Sequence, residues 1–507
     1  MKSNANIQQR AFKNSVVGVI SFVFSLLQTI ITVPVLLKYW GSEIYGVWLA
    51  LYASFLLLQS LDIGHINYVG NKMNITYHTD KNELKNTLAS SILVAIIIGL
   101  IQIIIVLFLI IFNFLPGVLG IEQKLINEYS VQISLFILVT FWLFSGSIGG
   151  ILNRLMLPTG FYYQSQWWVI LYRFCQFISI IIVALLGGSI LEVVIFYVLV
   201  QFIVYGFTFL YIKRKIPAFY PWWQDANFRI GFSNFKKSLV LTFNSFVQQL
   251  TNNGLLLLIS NIFSAIYLPI FNTIRTMTNT ALAITNILIA AVIPDFIRYH
   301  AEKEKEKLYS VFNANWFFSG LIVNIGLILV IPFAEKIFSL WTNGIIKFDF
   351  NLFISLAASI SIINFGAGLY NYIYGINNIR AVTVITIMRV IILFGFSYYL
   401  SGIMGLSGIG VAVLISEIFS SMVLPYIFVQ KVLKTFNGRL DFKTSLTAAA
   451  PPLIILIFAV SFLFGVEFNF YIWGTAVFLI LVTYVVNWLI LDAEVKERTL
   501  ILIRNLF

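Results

Sequence analysis

Three arginines interrupt segments of the chain that are otherwise almost wholly apolar. Arg173 lies in WWVILYRFCQFISIIIV, Arg275 in FNTIRTMTN and Arg389 in ITIMRVIILF. A charged side chain at the centre of a membrane helix costs roughly 2.5–3.5 kcal/mol on insertion scales, so each guanidinium group needs a partner. Guanidinium groups bind phosphate oxygens through paired hydrogen bonds, and charges inside membranes commonly mark substrate pathways. The three arginines therefore predict a cationic binding site for an anionic substrate.

Two acidic residues are candidates for ion coupling or gating. Glu417 lies in the apolar stretch LISEIFSS, and Asp62 lies in SLDIGHINYVG. The alternative interpretation of Glu417 is structural, namely that it neutralises Arg389 or Arg173. We predict that Asp62 lies near the cytoplasmic end of the second helix. A solvated carboxylate costs little there, so a functional role and a plain interfacial position both fit.

The composition predicts a polytopic membrane protein. Of the 507 residues, 60% are hydrophobic and only 10% are charged, which is more apolar material than a soluble core can bury. The sequence lacks a GxxxxGK[ST] phosphate loop, an HExxH motif and paired cysteines, and Cys175 is its one cysteine. We therefore expect a transporter rather than an enzyme, without a metal or another cofactor. The net charge of +12 is explained by basic loops that face anionic lipid, so nucleic acid is not an expected partner.

Apolar runs of roughly 20 residues, long enough to cross the bilayer, predict fourteen transmembrane helices in an all-α fold. Basic residues mark the cytoplasmic side of a membrane protein. With the N-terminus placed inside, 25 Lys and Arg residues fall in cytoplasmic segments and 4 in outside loops, so both termini are predicted to be cytoplasmic. The predicted helices lie near 14–37, 43–68, 88–112, 130–152, 165–187, 190–212, 238–262, 266–293, 312–332, 351–373, 381–400, 407–430, 447–465 and 469–491.

Short internal matches predict that the chain contains two related halves. FKNS at 12–15 matches FKKS at 235–238, and SEIY at 42–45 matches SAIY at 264–267. Six helices per half is an even number, so the halves share one orientation and are related by a pseudo-two-fold axis along the membrane normal. The predicted domains are an N-terminal lobe of helices 1–6 (1–212), a cytoplasmic linker (213–237), a C-terminal lobe of helices 7–12 (238–430) and two extra C-terminal helices with a cytoplasmic tail (431–507).

All three arginines are predicted to lie near the middle of the bilayer. At 1.5 Å per residue, Arg173 lies about 13 Å along helix 5, and Arg389 about as far along helix 11. Arg275 lies at a similar depth in helix 8, counted from the outer side. Because Gly160 pairs with Gly375 in turns that precede helices 5 and 11, Arg173 and Arg389 are predicted to occupy equivalent positions in the two lobes.

Two motifs resemble the N-terminal signature of the bacterial polysaccharide or O-antigen flippases. They are PVLLKYWGSEIYGVWLAL at 34–51 and LDIGHINYVGNKM at 61–73, and the likeness extends along the whole chain, including LPTGFYYQ before helix 5. This family belongs to the multidrug/oligosaccharidyl-lipid/polysaccharide exporter superfamily. The resemblance implies a flippase that moves an undecaprenyl-pyrophosphate-linked oligosaccharide across the bacterial inner membrane, in the biosynthesis of lipopolysaccharide O-antigen or another surface polysaccharide. A polysaccharide polymerase and a chain-length regulator are candidate partners.

Other classes of membrane protein remain open at this point. A peptidoglycan lipid precursor flippase also requires a cationic cavity. A drug or cation antiporter of the same superfamily favours acidic residues in its cavity, so the excess of arginine argues against that class. A membrane polymerase or ligase usually needs a substantial periplasmic loop, and the sequence contains only short loops. Without a nucleotide-binding motif, uphill transport is expected to use a proton or sodium gradient.

Overall fold

The computed structural model describes residues 2–491 together with 493 and 496. These residues form helices joined by turns, without a β-strand in the described part of the chain. The predicted cytoplasmic tail beyond residue 491 lies, apart from 493 and 496, outside the described residues. The chain divides into two compact units. The first contains Met1–Pro269 and Trp341–Ile345, and the second contains Ile270–Leu340 and Ile346–Phe507.

The first unit is built from ten α-helices. They are α1 (Lys2–Thr79), α2 (Lys81–Ile111), α3 (Leu115–Leu119), α4 (Gln123–Glu128), α5 (Val131–Trp142), α6 (Gly149–Leu155), α7 (Tyr162–Leu185), α8 (Ile190–Lys215), α9 (Phe228–Gln249) and α10 (Leu255–Phe263). Short π-helical segments, Leu143–Ile148 and Leu250–Gly254, join α5 to α6 and α9 to α10.

The second unit contains the remaining described helices. The first of these helices begins at Leu268, two residues before the start of the unit at Ile270. They are α11 (Leu268–Ala301), α12 (Lys305–Val330), α13 (Ala334–Trp341), α14 (Phe350–Gly375), α15 (Ile379–Met404), α16 (Leu406–Glu417), α17 (Leu424–Lys434), α18 (Phe442–Leu463) and α19 (Phe470–Ile490). A third π-helical segment, Ile418–Val423, joins α16 to α17.

The predicted all-α membrane fold is confirmed. Eleven helical segments in the described part of the chain are long and apolar enough to cross a membrane. The first of these, Ile20–Thr79, contains the first two predicted spans. The predicted spans near 238–262 and 266–293 also lie on helices, α9 with α10 and α11, although these are not among the eleven. Because α9 carries polar residues such as Asn244, Gln248 and Gln249, its apolar character is weaker than that of its neighbours.

The repeated sequence motifs coincide with equivalent breaks in the backbone. Gly41, directly before SEIY, has φ 71° and ψ −179° and interrupts α1 between its two predicted spans. Ser264, the first residue of SAIY, has φ 88° and ψ 162° and ends α10. The two breaks are 223 residues apart (264 minus 41), the same offset as FKNS and FKKS. The local conformation therefore agrees with the internal repeat, whereas the predicted lobe boundaries stay a prediction.

Glycines allow α1 to pack closely on α9 and on the turn after α10. A Cβ atom at Gly64 would overlap the backbone of Thr242, and one at Gly46 would overlap the backbone of Ala265. Small residues let helix backbones approach one another in membranes, where van der Waals contact replaces the hydrophobic effect as the main attraction. Helix α9, in which the second predicted half begins, therefore packs within the first compact unit.

The second unit is organised around α14, whose residues are mostly buried. Within its core, the Asn324 amide donates to the Tyr484 hydroxyl over 2.8 Å and accepts from Ser361. Asn324 lies on α12, Tyr484 on α19 and Ser361 on α14, so a buried polar network joins α19 to the rest of the unit. Buried polar groups that are fully hydrogen-bonded help to specify one packing arrangement.

Candidate functional site

A cavity of about 380 Å³ lies inside the first compact unit. Its wall combines aromatic side chains, amides and one cation, Arg173, which α7 contributes. None of the described residues that line it is acidic. The polar and aromatic residues of this wall are Tyr52, Gln59, Trp142, Asn153, Trp168, Tyr172, Arg173, Gln176, Tyr205 and Thr208, contributed by α1, α5, α6, α7 and α8.

Hydrogen bonds between side chains hold the wall of this cavity in place. The Gln176 amide donates to the Tyr52 hydroxyl over 2.6 Å, and the hydroxyls of Tyr172 and Tyr197 are 2.6 Å apart. The Tyr52 ring stacks on Trp48 with ring centres 5.6 Å apart. Because their hydrogen bonds and ring contacts fix these groups, the aromatic faces are already arranged before a ligand binds.

Arg173 is exposed and weakly held. Its Nη1 lies 3.3 Å from the Ser21 hydroxyl of α1, and it forms no ion pair with a described residue. A guanidinium group has five N–H donors, so most of them remain available to an anion. Arg173 therefore lies in a cavity and has N–H donors available to bind an anion.

Asp62 lies next to this cavity, fully buried inside the first unit. Its side chain has an exposed fraction of 0%, so of the two interpretations left open by the sequence the solvated interfacial carboxylate does not fit, and the coupling or gating role stays a prediction. The physical reason is that α1 does not end near Asp62 but continues to Thr79. His65 has the same exposed fraction, with Nδ1 3.3 Å from the Ser238 hydroxyl.

Two donors from one stretch of chain converge on a single oxygen of Asp62. The Trp142 indole N–H donates to Oδ2 over 3.0 Å, and the Ser147 hydroxyl donates to the same atom. The other oxygen, Oδ1, has no hydrogen-bond partner among the described residues, and no described cation lies within ion-pair distance. A buried carboxylate without a counter-charge is costly, which favours binding of a proton or a cation at this position.

The π-helical segment Leu143–Ile148 explains how both donors reach Asp62. Trp142 and Ser147 are five residues apart, and side chains at that spacing point about 140° apart on an α-helix. In a π-helix, backbone hydrogen bonds join residues i and i+5, so residues at this spacing lie one above the other. Such single-turn π segments are frequent at functional sites.

Gly146 makes room for the Trp142 side chain. A Cβ atom at this position would overlap the indole ring. The indole therefore lies against the helix backbone, where one edge reaches Asp62 and the ring lines the cavity. The residues that the sequence analysis did not identify here are Trp142, Gly146 and Ser147. The small polar residues of WLFSGS, which interrupt an apolar run, are the sequence feature that marks this position. Their contact with Asp62 depends on a π-helical turn, which the sequence pattern does not predict.

Arg389 and Glu417 form an ion pair in the second unit. Nη2 of Arg389 is 3.0 Å from Oε2 of Glu417, and Glu417 has an exposed fraction of only 6%. Arg389 also donates to the hydroxyls of Ser420 and Ser421 over 2.9 and 2.8 Å. This arrangement matches the structural alternative for these two residues. Their roles as a substrate contact and a coupling residue stay predictions.

Arg275 lies on α11 and contacts its own helix. Its Nη2 donates to the Asn272 side-chain oxygen over 3.1 Å, and the guanidinium carbon is 5.4 Å from the centre of the Phe271 ring. Contact between a guanidinium group and an aromatic face is attractive. The three predicted arginines thus have different surroundings, and of these Arg173 lies in the cavity of the first unit.

No protein-family model matches the sequence, and no curated protein sequence matches it significantly. Solved structures do match. An inward-facing multidrug resistance transporter of the MATE family, in the MOP superfamily, superimposes with a TM-score of 0.65 and 16% identity over 81% of this chain and 96% of that one. The lipid II flippase MurJ, in an inward closed conformation, gives a TM-score of 0.64 with 12% identity. The chain has the fold of the MOP-superfamily transporters.

The extent of the match differs between the solved structures. MurJ covers 96% of this chain, and 99% of MurJ is covered in return. A MOP transporter from Pyrococcus furiosus, whose binding pocket is described as having reversed polarity, covers 83% of this chain with a TM-score of 0.55 and 15% identity. The MOP fold of this chain therefore extends over nearly its whole length in the comparison with MurJ. At these identities the likeness is one of fold.

Proposed function

We propose that this multi-pass membrane protein is a flippase for an undecaprenyl-pyrophosphate-linked oligosaccharide, the repeat unit of O-antigen or another surface polysaccharide. The observation that carries the proposal is the cavity of the first unit. It offers one uncompensated cation, Arg173, among aromatic and amide side chains, and its described lining contains no carboxylate. The site therefore suits a ligand that combines negative charge with many hydroxyl groups.

Each part of this substrate has a matching feature in the cavity. Arg173 would bind pyrophosphate oxygens, because a planar guanidinium group matches their geometry. The faces of Tyr52, Trp142 and Tyr205 would pack against sugar rings, while amides such as Gln59 and Asn153 would bind hydroxyl groups. A volume of about 380 Å³ suits a small-molecule site of roughly 300–1,000 Å³, so the cavity would hold part of the substrate. The lipid chain would stay in the bilayer.

Asp62 is our proposed coupling residue for transport. Because Trp142 both binds Asp62 and lines the cavity, binding of a proton or cation at the carboxylate would alter the position of the indole that faces the substrate. A ligand can shift a conformational equilibrium only through such a difference in interaction between two states. Alternating access, with one lobe moving against the other in the bacterial inner membrane and both termini cytoplasmic, completes the proposed mechanism.

A peptidoglycan lipid precursor flippase is the second candidate. The match to MurJ over 96% of this chain favours it, whereas the MATE transporter matches 81%. The described lining contains no acidic residue, which argues against a drug or cation antiporter, because negative charge favours binding of a cationic ligand.

Complementation in two bacterial strains separates the two flippase functions. One strain lacks the flippase for a surface polysaccharide, and the other can be depleted of its peptidoglycan precursor flippase. We expect this chain to restore surface polysaccharide, seen on a gel, and not to rescue growth of the depleted strain. Rescue of growth without surface polysaccharide would assign the chain to the peptidoglycan precursor. The predicted partnership with a polymerase and a chain-length regulator can be tested in the first strain by co-purification.

A further inference from the structure

A second cavity, of about 500 Å³, lies where the last turns of α1 meet the first turns of α2 and α9. All of these helices belong to the first compact unit. The predicted topology puts this region at the cytoplasmic face. The cavity is separate from that of Arg173, because the two share no lining residue.

Positive charge in this cavity exceeds negative charge. Lys72, Arg229 and Lys237 line it together with Asp80 and Glu83. Glu83 is paired with Lys72 at 3.2 Å. Asp80 caps α2, since its Oδ1 accepts from the backbone N–H groups of residues 82 and 83. Arg229 and Lys237 are exposed and form no ion pair with a described residue, so both can bind an anion.

Two buried polar groups that line this cavity have no partner in the described structure. They are the Asn234 side-chain nitrogen, in a residue that is 2% exposed, and the Thr87 hydroxyl, in a residue that is 0% exposed. The orientation of the amide follows from Lys72, whose ammonium group donates to the Asn234 oxygen over 3.3 Å. The free nitrogen is therefore a donor. A buried donor without a partner is unfavourable, and an anion would remove this cost by accepting its hydrogen bond.

The backbone adds positive potential to the same place. α2 begins at Lys81 and α9 begins at Phe228, and residues from the first turn of each helix line the cavity. The amino ends of helices carry partial positive charge and commonly bind phosphate groups. The Asp80 carboxylate offsets the amino end of α2, so the backbone contribution comes from the amino end of α9. Because this helix end lies beside Arg229, Lys237 and the free Asn234 amide donor, the expected ligand is a phosphate group.

An exposed apolar surface begins beside the cavity. Phe228 and Phe232 of α9 are 56% and 41% exposed, and their rings stack 5.7 Å apart. The ammonium group of Lys236 lies 4.8 Å from the centre of the Phe232 ring. Aromatic rings and basic side chains together are typical of a helix at the membrane interface. This surface favours a ligand whose phosphate group is attached to an apolar chain.

We propose that the cavity between α1, α2 and α9 binds the phosphate headgroup of a membrane lipid. Arg229 and Lys237 contact the phosphate oxygens, and the Asn234 amide donates to one of them. The acyl or prenyl chain lies along Phe228 and Phe232. The lipid is either an anionic phospholipid of the surrounding bilayer or a polyprenyl pyrophosphate. The site is additional to the substrate cavity and does not depend on the proposed transport function.

Lipid binding to the purified full-length protein tests this site. Native mass spectrometry in detergent would measure binding of phosphatidylglycerol, undecaprenyl pyrophosphate and phosphatidylcholine. The test variant is Arg229→Gln with Lys237→Gln. The matched control is Arg214→Gln with Lys215→Gln, which removes the same charge at exposed positions that do not line the cavity. Because all four side chains are exposed, we expect both variants to fold.

We expect the test variant to bind the anionic lipids at least tenfold more weakly and the control to stay within about threefold of the parent protein. Tighter binding of phosphatidylglycerol identifies bulk phospholipid as the ligand, and tighter binding of undecaprenyl pyrophosphate identifies the prenyl lipid. Equal loss in both double variants would show general charge attraction and overturn the site. Equal binding of phosphatidylcholine, or displacement of the lipid by inorganic phosphate at the lipid's own concentration, would also overturn it.

Discussion

The indole N–H of Trp142 donates to the Asp62 carboxylate over 3.0 Å while its ring lines the cavity that contains Arg173. One side chain therefore touches both a buried carboxylate and the proposed substrate site. Ser147 donates to the same carboxylate oxygen from the π-helical turn that follows. A change of charge at Asp62 would weaken both hydrogen bonds and free the indole to move. This contact gives the proposed coupling a physical route.

We expect Trp142→Phe to reduce gradient-driven flipping about tenfold or more, because it removes a hydrogen bond to a charged group that is worth about 1.5–3 kcal/mol. Asp62→Asn should abolish the dependence on a gradient while the protein remains folded. Flipping in sealed vesicles, with and without proton and sodium gradients, measures both effects. Trp223→Phe, at an exposed position outside the cavity, is the control. Unchanged flipping by the parent protein after both gradients are collapsed would remove Asp62 and Glu417 from the mechanism.

Gly146→Ala should displace the Trp142 ring, since a Cβ atom there would overlap it. Overpacking of this kind typically costs about 1–3 kcal/mol. We expect a lower melting temperature in detergent and a change in tryptophan fluorescence. Gly206→Ala is the matched control, because a Cβ atom at this position in α8 meets no atom within 4 Å. A variant at Gly146 with the parent's fluorescence and stability would show that the indole does not lie against the helix backbone.

Arg173→Ala should abolish surface polysaccharide and leave the amount of inserted protein unchanged, because this exposed arginine forms no ion pair with a described residue. Lysine retains the charge and loses the paired geometry, so we expect partial activity, and glutamate should be worse than alanine. A polysaccharide gel and an immunoblot measure the two quantities. Arg214→Ala, exposed and outside the cavity, is the control. Full polysaccharide with alanine at Arg173, Arg275 and Arg389 together would exclude a cationic binding site.

Arg389→Ala should destabilise the protein by about 3–5 kcal/mol, because it leaves the Glu417 carboxylate buried without its cation. The double variant Arg389→Ala with Glu417→Gln removes both charges and should recover most of that stability. Thermal unfolding in detergent measures stability, and complementation measures function. A stable double variant that restores polysaccharide makes the pair structural. A stable double variant without polysaccharide supports the predicted substrate contact at Arg389.

The predicted orientation can be tested by cysteine labelling in a Cys175→Ser background. Cysteines at Asn343 and Asn469 should react with an impermeant reagent added from outside, and those at Asn82 and Lys305 should not. All four positions are exposed in the structure, so a lack of labelling reports the side of the membrane rather than burial. Permeabilised cells, in which all four should react, provide the control. The reverse pattern would contradict the distribution of basic residues.

The sequence by itself determined the class of protein, the helical spans and the internal repeat. The length of an apolar run and the positions of basic residues are local properties of the sequence. An apolar run in a bilayer forms a helix because every backbone polar group must be satisfied within its own segment. The break at Gly41 and its counterpart at Ser264 follow from motifs that can be read in the chain. Arg173 could also be identified, because a charge in an apolar run stands out.

Only the tertiary structure decided which groups these charges meet. The sequence left the partner of Glu417 open between Arg389 and Arg173, and packing of α15 on α16 selected Arg389. The sequence leaves Asp62 open between a functional role and a solvated interfacial position, whereas in the structure α1 continues past it and neighbouring helices bury it. Trp142 and Ser147 reach it because a π-turn changes their spacing around the helix. Such contacts depend on helix register and on residues about 80 positions apart, which local patterns do not encode.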